Sequence, residues 1–322
     1  MNLFRAELSR LLARRFSHIM LIVLVAVFGV TVATVLSSTH SPDAGSWAAA
    51  EDTASSQRNS LIQWQANCET AKIRGTEEAA AFPEDCRTRD PNEIKAGDFL
   101  WGVFVFTHEI RGLTVFLAVY LSFFGFVLAA SFVGAELSSG GITNLLLWRP
   151  QRSAVLGAKL AAVLTCVTTF AAGFTVLYVG TFYLIARGAG WVGETPATFW
   201  GELVTMCLRG VALSVAAAAC AFALATLARH TAAALGIVVG YFLIWEAGAR
   251  IVFEIVGALP YDPYFLSTYL SAFVNGDVEY WSGYDGSGDL VITQLSGGLV
   301  VAGLTAALIA AAFANFRRRD LV

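Results

Sequence analysis

The sequence predicts an all-α integral membrane protein: six spanning helices, a basic amphipathic helix ahead of the first, and a long extracytoplasmic segment between the first two. Three observations carry that prediction. Of the 322 residues, 57% are hydrophobic and 14% charged, whereas ordinary soluble domains hold about 45–50% and about 25%. The apolar residues gather into six runs, each near the roughly 20 residues that a bilayer crossing takes, and mean hydropathy is +0.64. Lysines and arginines sit in small groups at the ends of those runs, so the pattern excludes a basic nucleic-acid-binding face, and the net charge of −3 conceals an asymmetry between the two sides.

Residues 1–17 are patterned before the first span begins. Leu3, Phe4, Leu8, Leu11, Leu12 and Phe16 fall on one helical face, while Arg5, Arg10, Arg14 and Glu7 lie mostly off it. This suits a helix lying in the membrane surface with its arginines against anionic headgroups. A plain basic anchor that runs straight into the first span fits equally well. The first span, residues 18–37, carries the apolar run His18–Leu36. That run is too long for the core of a signal peptide, and no small-x-small cleavage site follows cleanly at Thr34–Ser38.

Residues 38–109 are of mixed polarity, rich in Ala, Glu, Asp, Gln and Thr, and predict short helices and loops forming a small cap. Cys68 and Cys86 are the only cysteines outside the apolar runs. They lie on the expected extracytoplasmic side, where disulfides persist, and a bridge closing a loop of that length is worth about 3 kcal/mol in the chain-entropy model. Cys166, Cys207 and Cys220 fall within spans and read as small apolar packing residues.

Residues 110–322 hold the other five runs: Leu113–Gly134, Ala158–Ala186, Leu203–Leu227, Ala232–Val256 and Leu290–Phe316. Orientation follows from the cations. One side collects Arg5, Arg10, Arg14, Arg15, Arg149, Arg152, Lys159, Arg229 and Arg317–Arg319; the other carries 38–109 and 259–289, the latter with Asp262, Asp277, Glu279, Asp285 and Asp289 and no Lys or Arg. Excess Lys and Arg mark the cytoplasmic side, so both termini are expected there in a multi-pass protein of the cell membrane. Trp101, Trp191, Trp200 and Trp281 fall near the expected outer boundaries and read as interface anchors. In the fourth span Gly210, Ala212, Ser214 and Ala216–Ala219 permit close helix packing.

The chain has no G-x-x-x-x-G-K-[ST] phosphate loop, no G-x-S-x-G elbow, no H-E-x-x-H and no C-x-x-C. His18, His40, His108 and His230 are scattered over both sides, so no metal site, cofactor or catalytic residue is expected in this chain. The fifth span carries Glu246, Arg250 and Glu254 at i, i+4 and i+8, on one helix face where they can pair in sequence. Ionisable groups at that depth should face protein or water. They read either as an outer gate on a substrate path or as a structural ion-pair ladder.

The connection from Glu136 to Lys159 stands between two spanning runs on the cytoplasmic side. Ser139, Gly140 and Gly141 can break the second span, and Ile142–Trp148 is too short to cross and suits a helix lying flat. Pro150 ends that helix, and Arg149 and Arg152 can pair with carboxylates of a partner or with lipid phosphates.

The Glu, the Ser-Gly pair, the Leu-rich stretch, the Arg-Pro, the Arg and the Lys at Glu136, Ser139–Gly140, Leu145–Leu147, Arg149–Pro150, Arg152 and Lys159 resemble the signature region of the ATP-binding-cassette type-2 permease family. The six-span layout, the basic N-terminal helix and the terminal FRRRDLV are similar to that family as well, while the long 38–109 segment is an elaboration that many of its members lack. The resemblance implies a six-helix exporter permease in which 136–153 forms a coupling helix. That helix would dock on a separate ATPase subunit, which holds the ATP and magnesium. Two permease chains, identical or paired, would work with two ATPases by alternating access, and the cargo would be an amphipathic or hydrophobic compound such as a drug, peptide antibiotic or lipid. The rival expectation is a membrane-anchored ligand-binding or sensor module without an ATPase. An intramembrane enzyme is a third, for which no nucleophile–base pair stands out.

Overall fold

The computed structural model describes residues 3–75, 82, 86, 90–142, 151–257, 260–280 and 290–318. Six of its helices are long and apolar enough to cross a membrane: α2 (Arg15–Ser38), α4 (Phe106–Ser138), α5 (Arg152–Ala189), α6 (Ala197–Ala228), α7 (Thr231–Val256) and α9 (Gln294–Arg318). Among the described residues the other α-helices are α1 (Leu3–Ala13), α3 (Ala44–Arg74) and α8 (Leu266–Asn275). A short antiparallel pair, β1 (Val278–Tyr280) with β2 (Leu290–Ile292), joins α8 to α9. The chain divides into two compact units, one of Met1–Phe28, Gly112–Tyr178 and Thr198–Val322, the other of Gly29–Arg111 and Val179–Ala197.

In the first unit α1 is a helix in its own right, so the straight continuation into the first span is not what forms. The break at Arg14 has local causes rather than a proline. Ser17 Oγ donates to the Leu11 carbonyl at 2.8 Å, and the His18 ring nitrogen lies 2.9 Å from the Arg14 carbonyl. Small residues then decide where helices meet. Gly210 of α6 is buried, and a Cβ there would lie 3.0 Å from that of Ala118 in α4. Ser214 and Ala218 continue the buried stripe of α6. Around this line Ala118, Met206, Leu213, Val274 and Val301 form one apolar cluster. The start of α9 presses on α8 so closely that a Cβ on Gly297 would sit 2.5 Å from the Tyr269 carbonyl oxygen.

The last span begins later than its apolar run. Leu290–Ile292 is extended and paired in β2, because the helix start is set by polar caps. Asp277 accepts from the Gln294 N–H at 2.7 Å, and Thr293 Oγ1 accepts from the Ser296 N–H at 3.3 Å.

The second unit holds most of the 38–109 segment, and its main element is a single helix rather than several short ones. α3 runs for 31 residues. Its alanine-rich sequence has no proline and no glycine after Gly45, which removes the usual breakers. Asp43 caps its start by accepting from the Ser46 N–H at 2.7 Å. Gly75 closes its end at φ +62, where an L side chain would be strained. The Ser46 hydrogen bonds hold the Asp43 carboxyl below the ordinary carboxylate range. This cap is therefore in place at neutral pH and is lost as the pH falls through that lowered value.

Ala50, Leu100, Val103 and Val105 form the small core under α3, with Trp47 against it. Residues 104–106 and Trp191 exchange two backbone hydrogen bonds of 2.9 Å. Trp191 packs edge-on against Trp47 with ring centroids 5.1 Å apart yet stays 41% exposed, and Trp101 is 84% exposed. Trp281 lies outside the described residues.

Cys68 and Cys86 are joined in a disulfide, their Cα atoms 5.8 Å apart. Peptide mapping without reductant should return the linked pair, and replacing both with Ser should lower the stability of this unit by about 3 kcal/mol. Two freely alkylated thiols would contradict the bridge.

Candidate functional site

Three helices remote in sequence meet at a buried ion cluster. α1 contributes Glu7, the last turn of α4 contributes Glu136, and the second turn of α5 contributes Lys159. The Lys159 Nζ donates to Glu7 Oε2 at 2.6 Å and also to Glu136 Oε2. Lys159 and Glu7 are both 0% exposed, and the Glu136 side chain 22%. Phe132, one turn before Glu136, lies under the cluster, with the Lys159 amine 5.2 Å and the Arg14 guanidinium 5.6 Å from its ring centre. Arg14 also donates to the Ser131 carbonyl at 3.2 Å. Arg10, largely in the open, reaches Glu7 Oε1 at 3.4 Å, so two carboxylates face two cations.

Burying a bare ammonium costs several kcal/mol, and such a charge persists only where partners replace its hydration. Here two carboxylates and an aromatic face do so. The consequence is mechanical. Glu136 and Lys159 stand at the two ends of the connection 137–158, and Glu7 ties α1 to the same point.

Lys159, expected on a partner-facing loop with Glu136, Ser139, Gly140, Arg149, Pro150 and Arg152, is thus internal, and it positions the connection rather than touching anything beyond it. Ser139 continues the α4 hydrogen-bond ladder to Ala135. Gly140 ends the helix at φ +73. Arg152 opens α5. Arg149, Pro150 and the middle of the expected flat helix lie outside the described residues.

Helical spacing sets Glu7 off the apolar face of α1; the structure instead makes Glu7 and Leu11 its buried stripe and leaves Leu12 open. The signal for it was slight: Glu7 is the sole acid among residues 1–42, and Lys159 is the last charge before Arg187.

The second polar group lies in α7. Its middle, Phe242–Ala249, is a π-helix. Residues five apart then share a face, whereas an α-helix sets them about 140° apart. Tyr241 accordingly donates its O–H to Glu246 at 3.1 Å. The Ser267 N–H and O–H donate to the same carboxylate at 3.0 and 2.6 Å. Glu246 therefore caps α8 from another helix, at an N-terminus with no side-chain cap of its own.

The ladder of adjacent pairs does not form, because Glu246 is occupied by these donors. Arg250 instead donates to Ser267 Oγ at 3.2 Å and lies 4.6 Å above the Phe265 ring. Glu254 is exposed. Asp262, nearly buried beside them, has its carboxyl pushed up by burial, with Arg250 opposing the shift.

Among the described residues no group of His, Cys, Asp and Glu is arranged to hold a metal ion. A family model described as "Protein of unknown function (DUF2705)" matches residues 97–322. The matched region contains Glu136, Lys159 and Glu246, and Glu7 precedes it. No curated protein matches the chain.

Proposed function

From the premise that the chain belongs to the DUF2705 family, whose function is unknown, we propose that it is the membrane-spanning subunit of an ATP-driven exporter. It has both termini in the cytoplasm and moves an amphipathic or hydrophobic compound by alternating access, with ATP and magnesium held by a separate ATPase subunit. A pair of permease chains completes the unit. The observation that carries the reading is the ion cluster Glu7–Lys159–Glu136 at the base of the 137–158 connection. A push on a free loop dissipates in the loop. A push on a loop whose two ends are fastened, with α1 fastened to them, moves three helices together. The motif resemblance over Glu136–Lys159 supports the same reading by analogy.

The test is co-expression and co-purification of the full chain with candidate ATP-binding-cassette ATPases of the same cell, followed by ATP hydrolysis in the presence of hydrophobic cations and lipids. A stable complex whose hydrolysis rises with one of these compounds is expected. A chain that associates with no ATPase overturns the reading and favours a membrane-anchored ligand-binding module.

Within the exporter reading, Glu246, Arg250 and Glu254 flank the outer end of the path, and Glu246 holds α8 beside it. Glu246→Gln turns an amide N–H toward the Ser267 donors and should weaken the α8 attachment by about 1–2 kcal/mol, seen as less folded protein. Transport per folded chain of Glu246→Gln then decides the role: impairment beyond the loss of abundance supports a gate, and normal transport leaves a structural clamp.

A further inference from the structure

An apolar groove of about 510 Å³ opens between α1 and α5, lined by Leu8 and Leu12 on one side and by Thr165, Cys166, Thr169, Phe170, Gly173, Phe174 and Leu177 on the other. From Thr165 to Leu177 it follows about 18 Å of helix, at 1.5 Å per residue, and its wall is almost wholly apolar.

Arg5 lies one turn ahead of the two leucines on α1. It lies three residues before Leu8 and seven before Leu12, hence on the same face of α1. It is exposed, while Glu7 and Leu11 turn the opposite face inward. Arg10 and Arg14 are engaged with Glu7 and Phe132, which leaves Arg5 as the exposed α1 cation on the helix face that carries Leu8 and Leu12.

We propose that the groove holds an acyl chain of an anionic phospholipid whose headgroup phosphate pairs with Arg5. A helix lying at a membrane surface with an apolar face and a cation beside it matches both ends of such a molecule, and a basic, apolar recess between helices at that level suits an acidic headgroup. Neither a neutral lipid nor a free phosphate satisfies both ends. The inference goes beyond the transport reading and shares with it only the bilayer.

The measurement is native mass spectrometry of the full chain titrated with dioleoyl-phosphatidylglycerol or dioleoyl-phosphatidylcholine. Wild type should retain the anionic lipid about fivefold more strongly, the equivalent of about 1 kcal/mol for one arginine near a charged lipid surface. Arg5→Gln should bring the two lipids level. Gly173→Leu should lower retention of both. A Cβ at Gly173 meets nothing within 4 Å, so the larger side chain enters the groove without displacing the protein. Thr169→Phe blocks the same groove should the leucine variant not accumulate. Equal retention of the two lipids by wild type, or unchanged retention by the blocked variants, overturns the proposal. So does efficient cross-linking of Cys166 to Cys166 between two chains, which would place a second copy over the groove. Retention of inorganic phosphate alone, without lipid, would overturn it too.

Discussion

Lys159→Met should cost the folded protein about 3–5 kcal/mol, the usual penalty for stranding one side of a buried ion pair. Two carboxylates, Glu7 fully and Glu136 mostly out of water, would lose their common cation, with Arg10 reaching Glu7 alone. The expected readout is a marked fall in melting temperature and in folded yield from detergent. Adding Glu7→Gln and Glu136→Gln to Lys159→Met should recover much of the loss, because replacing a whole buried ion cluster is often nearly neutral. Glu7→Gln by itself separates the local from the global effect. It should release α1, raising amide exchange over residues 3–13 while the exchange of α4 and α5 changes little. A Lys159→Met protein that melts with wild type would show that this cluster carries no stability.

If the chain is an exporter subunit, reversing Arg149 and Arg152 together to Glu should weaken its association with an ATPase by at least about thirtyfold, the lower end of what is lost when one side of a hydrogen-bonded interfacial charge pair is removed. Arg152 begins α5, seven residues before Lys159. A load taken up at Arg152 therefore reaches the ion cluster through less than two turns of continuous helix, at 3.6 residues each. The spans should stay inserted, with folded yield measured beside binding to separate a docking loss from a folding loss. Retained binding with hydrolysis no longer linked to transport would also fit, placing the loss in transmission rather than docking. Unchanged assembly together with unchanged transport would remove the coupling role.

These two predictions differ in what the sequence made visible. The Glu136–Lys159 connection stood out because local features mark it: two apolar runs, a glycine break, a proline and a set of charges. Five of the spanning helices begin and end within a few residues of their apolar runs, extended outward by polar turns at their ends. The sixth loses its first residues to β2 because a capping threonine and the Asp277 carboxylate set the helix start. The length of α3 is a departure: the mixed polarity of 38–109 predicts short helices and loops, whereas the Asp43 cap, the Gly75 stop and the absence of breakers between Ser46 and Arg74 let one helix run.

The polar sites were legible as residues but not as contacts. Lys159 stands out in the sequence, yet one of its two carboxylate partners lies 152 residues away on α1. Glu246, Arg250 and Glu254 were singled out by α-helical spacing, but α7 changes pitch at Phe242–Ala249. Ser267, from a different helix, takes the place that Arg250 was expected to fill.

The sequence by itself determined the membrane class, the number of long apolar helices, the cysteine pair and the unusual character of residues 136–159. Each is a sum over neighbouring residues or a count of residue types, and neither depends on which helix faces which. Only the tertiary structure decided that Glu7 faces Lys159, that Glu246 caps α8, and that Leu8 and Leu12 border a groove on α5. Those outcomes depend on the rotation of each helix about its axis. Rotation is set by close packing at points such as Gly210 against Ala118 and Gly297 against Tyr269, and by the requirement that each buried charge find its partner.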